Sequence, residues 1–317
     1  MRESSVEEPI LDVACLAHVE LLSPKPEETT WFFKDLLGMQ ETERRDGSVY
    51  LRAYEEFGHH SLKITQAERP GLGHVAWRSW SPQALERRAA ALEATGVLDE
   101  WRSGDAGHGP ACVFHTAGGH EMELLWHVER AQIPDERRSL LQNRAQKRPL
   151  HGVPVRRLDH LSLLTRDVPA VEQLMTEQLG FRPHARMVSA GGEEVGCYLS
   201  IGPFVHDLGV IKDPADGDDD LHHVCYWYGT SEHLLDATEV LREAGIPIEV
   251  GPSKHGISYG LFVFVTEPGG NRIELVGGAK YRVPEPDWET VVVDEHDLDS
   301  SVVFFGEPVP ADVLPAR

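Results

Sequence analysis

Apolar positions along the chain alternate between two spacings. Residues 158–164 and 221–228 have the length and alternation of half-buried strands. Residues 82–95 and 231–244 instead carry apolar side chains at helical spacing, as with Leu234, Leu235, Val240 and Leu241. Gly96 and Gly245 follow these two stretches, where a helix C-terminus takes a left-handed residue. Residues 118–123 and 269–274 each read as a glycine turn running into a strand. The order strand, helix, run of strands therefore occurs four times, over residues 11–66, 70–128, 155–213 and 219–278.

The four units form two matching halves. From His18 to Gly38 and from His160 to Gly180 the distance is twenty residues, and from His74 to Gly96 and from His223 to Gly245 it is twenty-two. Residues 129–154 are polar and unpatterned and read as a linker. The predicted class is α+β with two domains, residues 1–148 and 149–317, which suits a chain of 317 residues. The proline-bearing tail from Tyr281 to Arg317, with Pro284, Pro286, Pro308, Pro310 and Pro315, is expected to wrap the surface.

Both halves place a His, a second His and a Glu at matching points. In the second half these are His160, His223 and Glu274; in the first they are His18, His74 and Glu123. Two imidazoles and one carboxylate form a donor set that holds Fe(II) and leaves adjacent coordination positions open. Two open positions suit a bidentate substrate and a third suits dioxygen. Strand alternation puts His160 and Ser162 on one face, and His223 with Cys225 and Trp227 on one face, with His222 pointing away. The competing reading is packing, since buried histidines are usually satisfied core residues and pairs such as His59-His60 occur without metal.

Composition narrows the partners. The net charge is −22, from 30 basic and 52 acidic residues, which argues against nucleic acid or an anionic membrane as partner. No apolar run approaches the ~20 residues that span a bilayer, and residues 1–8 carry no apolar signal region. Cys15, Cys112, Cys197 and Cys225 lie singly, without zinc-type spacing, and are expected as reduced core or near-core thiols in a soluble cytoplasmic protein.

Longer phrases carry a resemblance. They are Leu158-Asp159-His160, Val205-His206-Asp207, Leu221-His222-His223-Val224, Gly251-Pro252-Ser253-Lys254-His255-Gly256 and Pro268-Gly269-Gly270-Asn271-Arg272-Ile273-Glu274. With Val49-Tyr50-Leu51-Arg52-Ala53 and Glu55-Glu56-Phe57, the chain resembles the type I extradiol (catechol 2,3-) dioxygenases of the vicinal-oxygen-chelate superfamily. The look is nearest to the catechol and homoprotocatechuate branch. The resemblance implies paired βαβββ modules in curved, partly closed mixed sheets, with Fe(II), or Mn(II) in some members, bound only in the C-terminal domain. It implies cleavage of a catecholic ring beside the diol with insertion of both atoms of dioxygen, and a homo-oligomer, most often a tetramer.

Carried onto this sequence, the metal ligands are His160, His223 and Glu274. His206 matches the histidine beside bound dioxygen, and His255 the one that handles substrate protons. Ser162 and Tyr198 are further pocket candidates. The family usually has a Tyr where this chain has Phe264, which cannot donate a hydrogen bond. Tyr259 is a pocket candidate for the missing hydroxyl, although 259 and 264 differ in strand parity. His18, His74 and Glu123 are expected to be a vestigial set in a non-catalytic domain, with a second metal site as the alternative. An uncharged or modestly substituted catechol is expected, because residues 246–255 offer only Lys254 as a cation. The other readings are a non-redox glyoxalase- or epimerase-like metal enzyme and, against the intact triad, a metal-free binding module.

Overall fold

The computed structural model describes residues 8–213, 220–278, 281–283 and 285–306. The N-terminal half opens with β1 (Val13–Ser23), α1 (Pro26–Trp31), a π-turn over Phe32–Leu36, and strands β2 (Gln40–Arg45), β3 (Ser48–Arg52) and β4 (Leu62–Gln66). A second unit repeats this order with β5 (Gly71–Ser79), α2 (Pro82–Ala94), β6 (Leu98–Arg102), β7 (Ala111–His115) and β8 (Glu121–Leu125). The C-terminal half has β9 (Arg157–Thr165), α3 (Val168–Leu179), β10 (Arg182–Val188), β11 (Glu194–Ser200) and β12 (Leu208–Lys212). It continues with β13 (Asp220–Trp227), α4 (Ser231–Glu243), β14 (Ile248–Lys254), β15 (Leu261–Thr266), β16 (Arg272–Gly277), β17 (Val291–Val293) and α5 (Leu298–Val302).

Helix boundaries follow local chemistry. Ser81, Asp167 and Thr230 each accept a backbone N–H at the start of α2, α3 and α4, which satisfies a donor with no partner inside the helix. Gly96 and Gly245 have φ of 73° and 79° at the opposite ends, so the left-handed residues expected from the sequence are in place.

Each half is one open mixed sheet. The strand orders are β2-β3-β4-β1-β5-β8-β7-β6 and β14-β15-β16-β13-β9-β12-β11-β10-β17. In both, the first strands of the two units pair antiparallel at the centre, β1 with β5 and β9 with β13. Each central strand is flanked by a parallel partner from its own unit: β4 and β12 beside the first, β8 and β16 beside the second. Alternation then divides the central strands. Leu161, Leu163, Val224, Tyr226, Ile273 and Leu275 enter the hydrophobic core, while His160, Ser162, His223 and Glu274 line a cavity.

The halves share that core, which includes residues from both sheets. Trp77 meets Phe181 edge-on at 4.9 Å between ring centroids, and Phe33 meets Tyr226 at 5.8 Å. A buried polar joint lies between them. The Glu267 carboxylate accepts from Thr29 Oγ1 at 2.7 Å and from the backbone N–H groups of Gly269 and Asn271 at 2.7 and 2.9 Å, and Asn271 Nδ2 donates to Leu22 O at 3.0 Å. This joint fixes the turn that launches β16.

Two expectations need correction. The tail does more than wrap the surface: β17 adds a parallel edge strand beside β10, and α5 lies over the loop after β14, because Gly256 and Ile257 donate to Ser301 O at 2.9 Å. Pro284, Pro308, Pro310 and Pro315 fall outside the described residues. Cys112, Cys197 and Cys225 are buried free thiols, but Cys15 is exposed. The register shift between Val13 and Cys15 breaks the alternation that would have turned it inward.

Glu267→Ala should destabilise the chain by about 2–4 kcal/mol, since it strands several buried donors at once. The shift of the urea unfolding midpoint would measure this.

Candidate metal centre and cavity

Three neighbouring strands of the C-terminal sheet, β9, β13 and β16, each contribute one donor. His160 Nε2 lies 3.2 Å from His223 Nε2 and 3.0 Å from Glu274 Oε2, and His223 Nε2 lies 3.4 Å from the same oxygen. An ion with bonds of about 2.1 Å has adjacent donors roughly 3 Å apart, so this set fits one cation without rearrangement. Two imidazoles and one carboxylate also match the chemistry of a divalent iron or manganese site.

The surroundings suit ligation. His160 Nδ1 is 2.8 Å from Asp159 Oδ1, a carboxylate contact that orients the ring and turns Nε2 to the centre. Burial lowers the His223 pKa to about 4 against the opposing pull of Glu274, which leaves a neutral imidazole at neutral pH. Burial alone would raise Glu274, but His160, His223 and His255 hold its carboxyl well below the usual range.

The donors form the floor of a small cavity. His206 and His255 enter from opposite sides. The His206 ring lies 4.0 Å from that of His160 and 4.7 Å from that of Tyr198. His255 stacks flat on Phe262 at 3.6 Å, its Nδ1 is 2.5 Å from Val302 O, and its Nε2 is 3.1 Å from Glu274 Oε1. Ser162, Tyr198 and Phe264 line the same space. Gly209 faces Ser162 across the β9–β12 pair, and a Cβ there would come within 2.2 Å of Ser162 Oγ.

Two sequence-based placements fail. Tyr259 is 68 % exposed, at a left-handed φ of 59° in the loop after β14, and does not line the cavity. Its hydroxyl therefore does not replace the one absent at Phe264. His222 does not turn away from its neighbour: it lines the cavity, with Nδ1 2.6 Å from His223 Nδ1. A register shift between Leu221 and His223 interrupts the alternation on which the expectation rested. Sequence reasoning also missed Met187, Ile211, Ile257, Ser258 and Val302 on the cavity wall. Only Ile257 and Ser258 gave a usable signal, through their closeness to His255.

The N-terminal half brings its own three residues together. His18 Nε2 is 2.8 Å from His74 Nε2, and His74 Nε2 is 3.9 Å from Glu123 Oε2. His60 and His108 stand beside His18, with ring centroids 4.5 and 5.3 Å away. Burial, reinforced by neighbouring imidazoles, pushes His18 and His60 well below the ordinary histidine range.

Residues 157–275 match the glyoxalase/bleomycin resistance protein/dioxygenase superfamily. The chain is 48% identical over 292 residues to a metapyrocatechase of Geobacillus stearothermophilus, covering 92% of this chain and 89% of that one. It is 34% identical over 299 residues to a manganese-dependent 2,3-dihydroxybiphenyl 1,2-dioxygenase of Geobacillus genomosp. 3, covering 93% and 94%. Among solved structures, homoprotocatechuate 2,3-dioxygenase of Arthrobacter globiformis superposes with a TM-score of 0.83 at 26% identity, over 98% of this chain and 94% of that one. Agreement of this extent in sequence and in fold means that the chain belongs to the type I extradiol ring-cleavage dioxygenases of the vicinal-oxygen-chelate superfamily.

Proposed function

We propose that this protein opens a catechol ring next to the diol, inserting both atoms of dioxygen, with Fe(II) held by His160, His223 and Glu274. The observation that carries the proposal is the convergence of three donor atoms, 3.0–3.4 Å apart, on the floor of a cavity that also holds two further histidines. Mn(II) is the alternative ion, since both metals accept these donors and one relative is named for manganese. The bound ion would supply chelation of the diol oxygens and an electron path from ring to dioxygen.

The remaining work falls to the chain. Donation from His255 Nδ1 to the Val302 carbonyl leaves Nε2 to take a proton from a substrate hydroxyl and later return it. Stacking on Phe262 holds the ring plane for that transfer. His206, on the β12 side, is assigned the hydrogen bond to dioxygen. Phe264 packs 5.1 Å from the His223 ring and offers no hydroxyl, so proton handling rests on His255. Val302 on α5 closes the wall and limits water.

The cavity wall also bears on the substrate. Met187, Ile211, Ile257, Phe264 and Val302 give it an apolar lining, and no Lys or Arg is among its lining residues. An acidic side chain on the ring would be buried there without a cation, which is costly. An unsubstituted or alkyl-substituted catechol is the substrate class that fits.

Three outcomes are expected. Glu274→Ala should lose both metal and turnover, whereas His255→Phe should keep the metal and lose about 10²-fold or more in kcat; bound metal and oxygen uptake report the two separately. Tyr259→Phe should leave kcat and KM within about two-fold of the parent, because the ring lies in solvent. In a panel followed through the yellow ring-opened product, catechol and 3-methylcatechol should exceed 3,4-dihydroxyphenylacetate in kcat/KM by at least roughly tenfold. Equal values would refute the substrate class.

A further inference from the structure

The internal duplication extends further than the three donors. His60 lies two residues before β4 as His206 lies two before β12, and His108 sits in the β6–β7 loop as His255 sits in the β14–β15 loop. Tyr50, paired with Lys63 across β3 and β4, corresponds to Tyr198, paired with Gly209 across β11 and β12. Five of the six imidazole and carboxylate positions of the C-terminal cavity therefore have an N-terminal counterpart of the same residue type, and His222 is matched by Gly73. We infer that the N-terminal half binds a second divalent metal ion through His18, His108 and Glu123, with His74 beside them.

The geometry of the cluster supports ligation. His18, His108 and Glu123 each offer a donor atom within 4.8 Å of the other two, and His74 Nε2 is 2.8 Å from His18 Nε2. His74 is oriented from behind, with Nδ1 2.7 Å from Glu20 Oε2, just as Asp159 orients His160. His108 Nδ1 lies 2.9 Å from Gly109 O, which leaves Nε2 as its available nitrogen. The second observation is an orphan. Glu123 is 4 % exposed, and its Oε1 is 3.2 Å from Arg102, but Oε2 is buried with no hydrogen-bond partner among the described residues. A buried carboxylate oxygen beside three imidazole nitrogens is costly to leave bare, and a cation would satisfy it.

The two halves differ in what surrounds the donors. The positions of Ser162 and Gly209 are taken here by Glu20 and Lys63. Lys63 Nζ lies 3.2 Å from Glu20 Oε1 and 2.9 Å from Asp105 Oδ2, and Tyr50 donates to Asp105 at 3.0 Å. This ion-paired network occupies the side that Ser162 and Gly209 leave open in the other half, while a separate cavity borders His18, His60 and His108. Three protein donors of N₂O type, with a third imidazole close by, suit Zn(II) or a similar borderline ion.

Metal content tests the inference without reference to turnover. Chelator-stripped protein would be refilled with excess Zn(II), desalted and analysed for metal per chain. Two ions are expected in the parent, one in Glu123→Gln, one in His160→Ala and none in the double variant. One ion in the parent, or two retained in Glu123→Gln, overturns the inference. Folding is controlled by heating: Zn(II) should raise the Tm of His160→Ala by several degrees and leave the double variant unchanged. Absence of a rise in His160→Ala also overturns it. Fe(II)-loaded Glu123→Gln should turn over catechol within about two-fold of the parent, which separates this site from the one proposed for ring cleavage.

Discussion

The antiparallel pairing of the leading strands at the centre of each sheet is the constraint on which the site depends. Because β9 and β13 open their respective units and lie side by side, a histidine near the middle of each reaches the same point in space. The parallel addition of β16 beside β13 then supplies the carboxylate, with Glu274 opposite Cys225 and Cys225 opposite His160. No loop has to be positioned for the three donors to meet. They project from the middle of a sheet whose other face is packed into a core, which gives the rigidity that an ion-binding geometry needs.

Much of this was legible because period and spacing carry over directly into strands. The equal His-to-Gly intervals predicted the four units, and alternation along β9 placed His160 and Ser162 together on the cavity face. What failed was alternation where the register shifts. His222 was assigned by parity, and it sits beside an irregularity that no residue type announces. The tail failed for another reason. Its prolines suggest an irregular path, but whether that path crosses the surface or covers a cavity depends on contacts with residues 254–257, far away in sequence.

The duplicated set also shows why a motif is a weaker guide than its surroundings. His59-His60 looks like an ordinary dipeptide, yet His60 packs against His18 and Tyr50 as His206 packs against His160 and Tyr198. The two halves have kept similar donor residues and diverged in what faces them. In one, small residues leave room; in the other, Lys63, Glu20 and Asp105 occupy it. Charge placement, rather than the ligand set, separates the two halves.

The contact between His255 and the Val302 carbonyl joins two events that could otherwise be independent. The peptide group that anchors the imidazole belongs to the helix that supplies one wall of the cavity. Ring orientation and enclosure therefore rest on the same short helix. One backbone oxygen thus ties the placement of a cavity histidine to the segment that completes the wall.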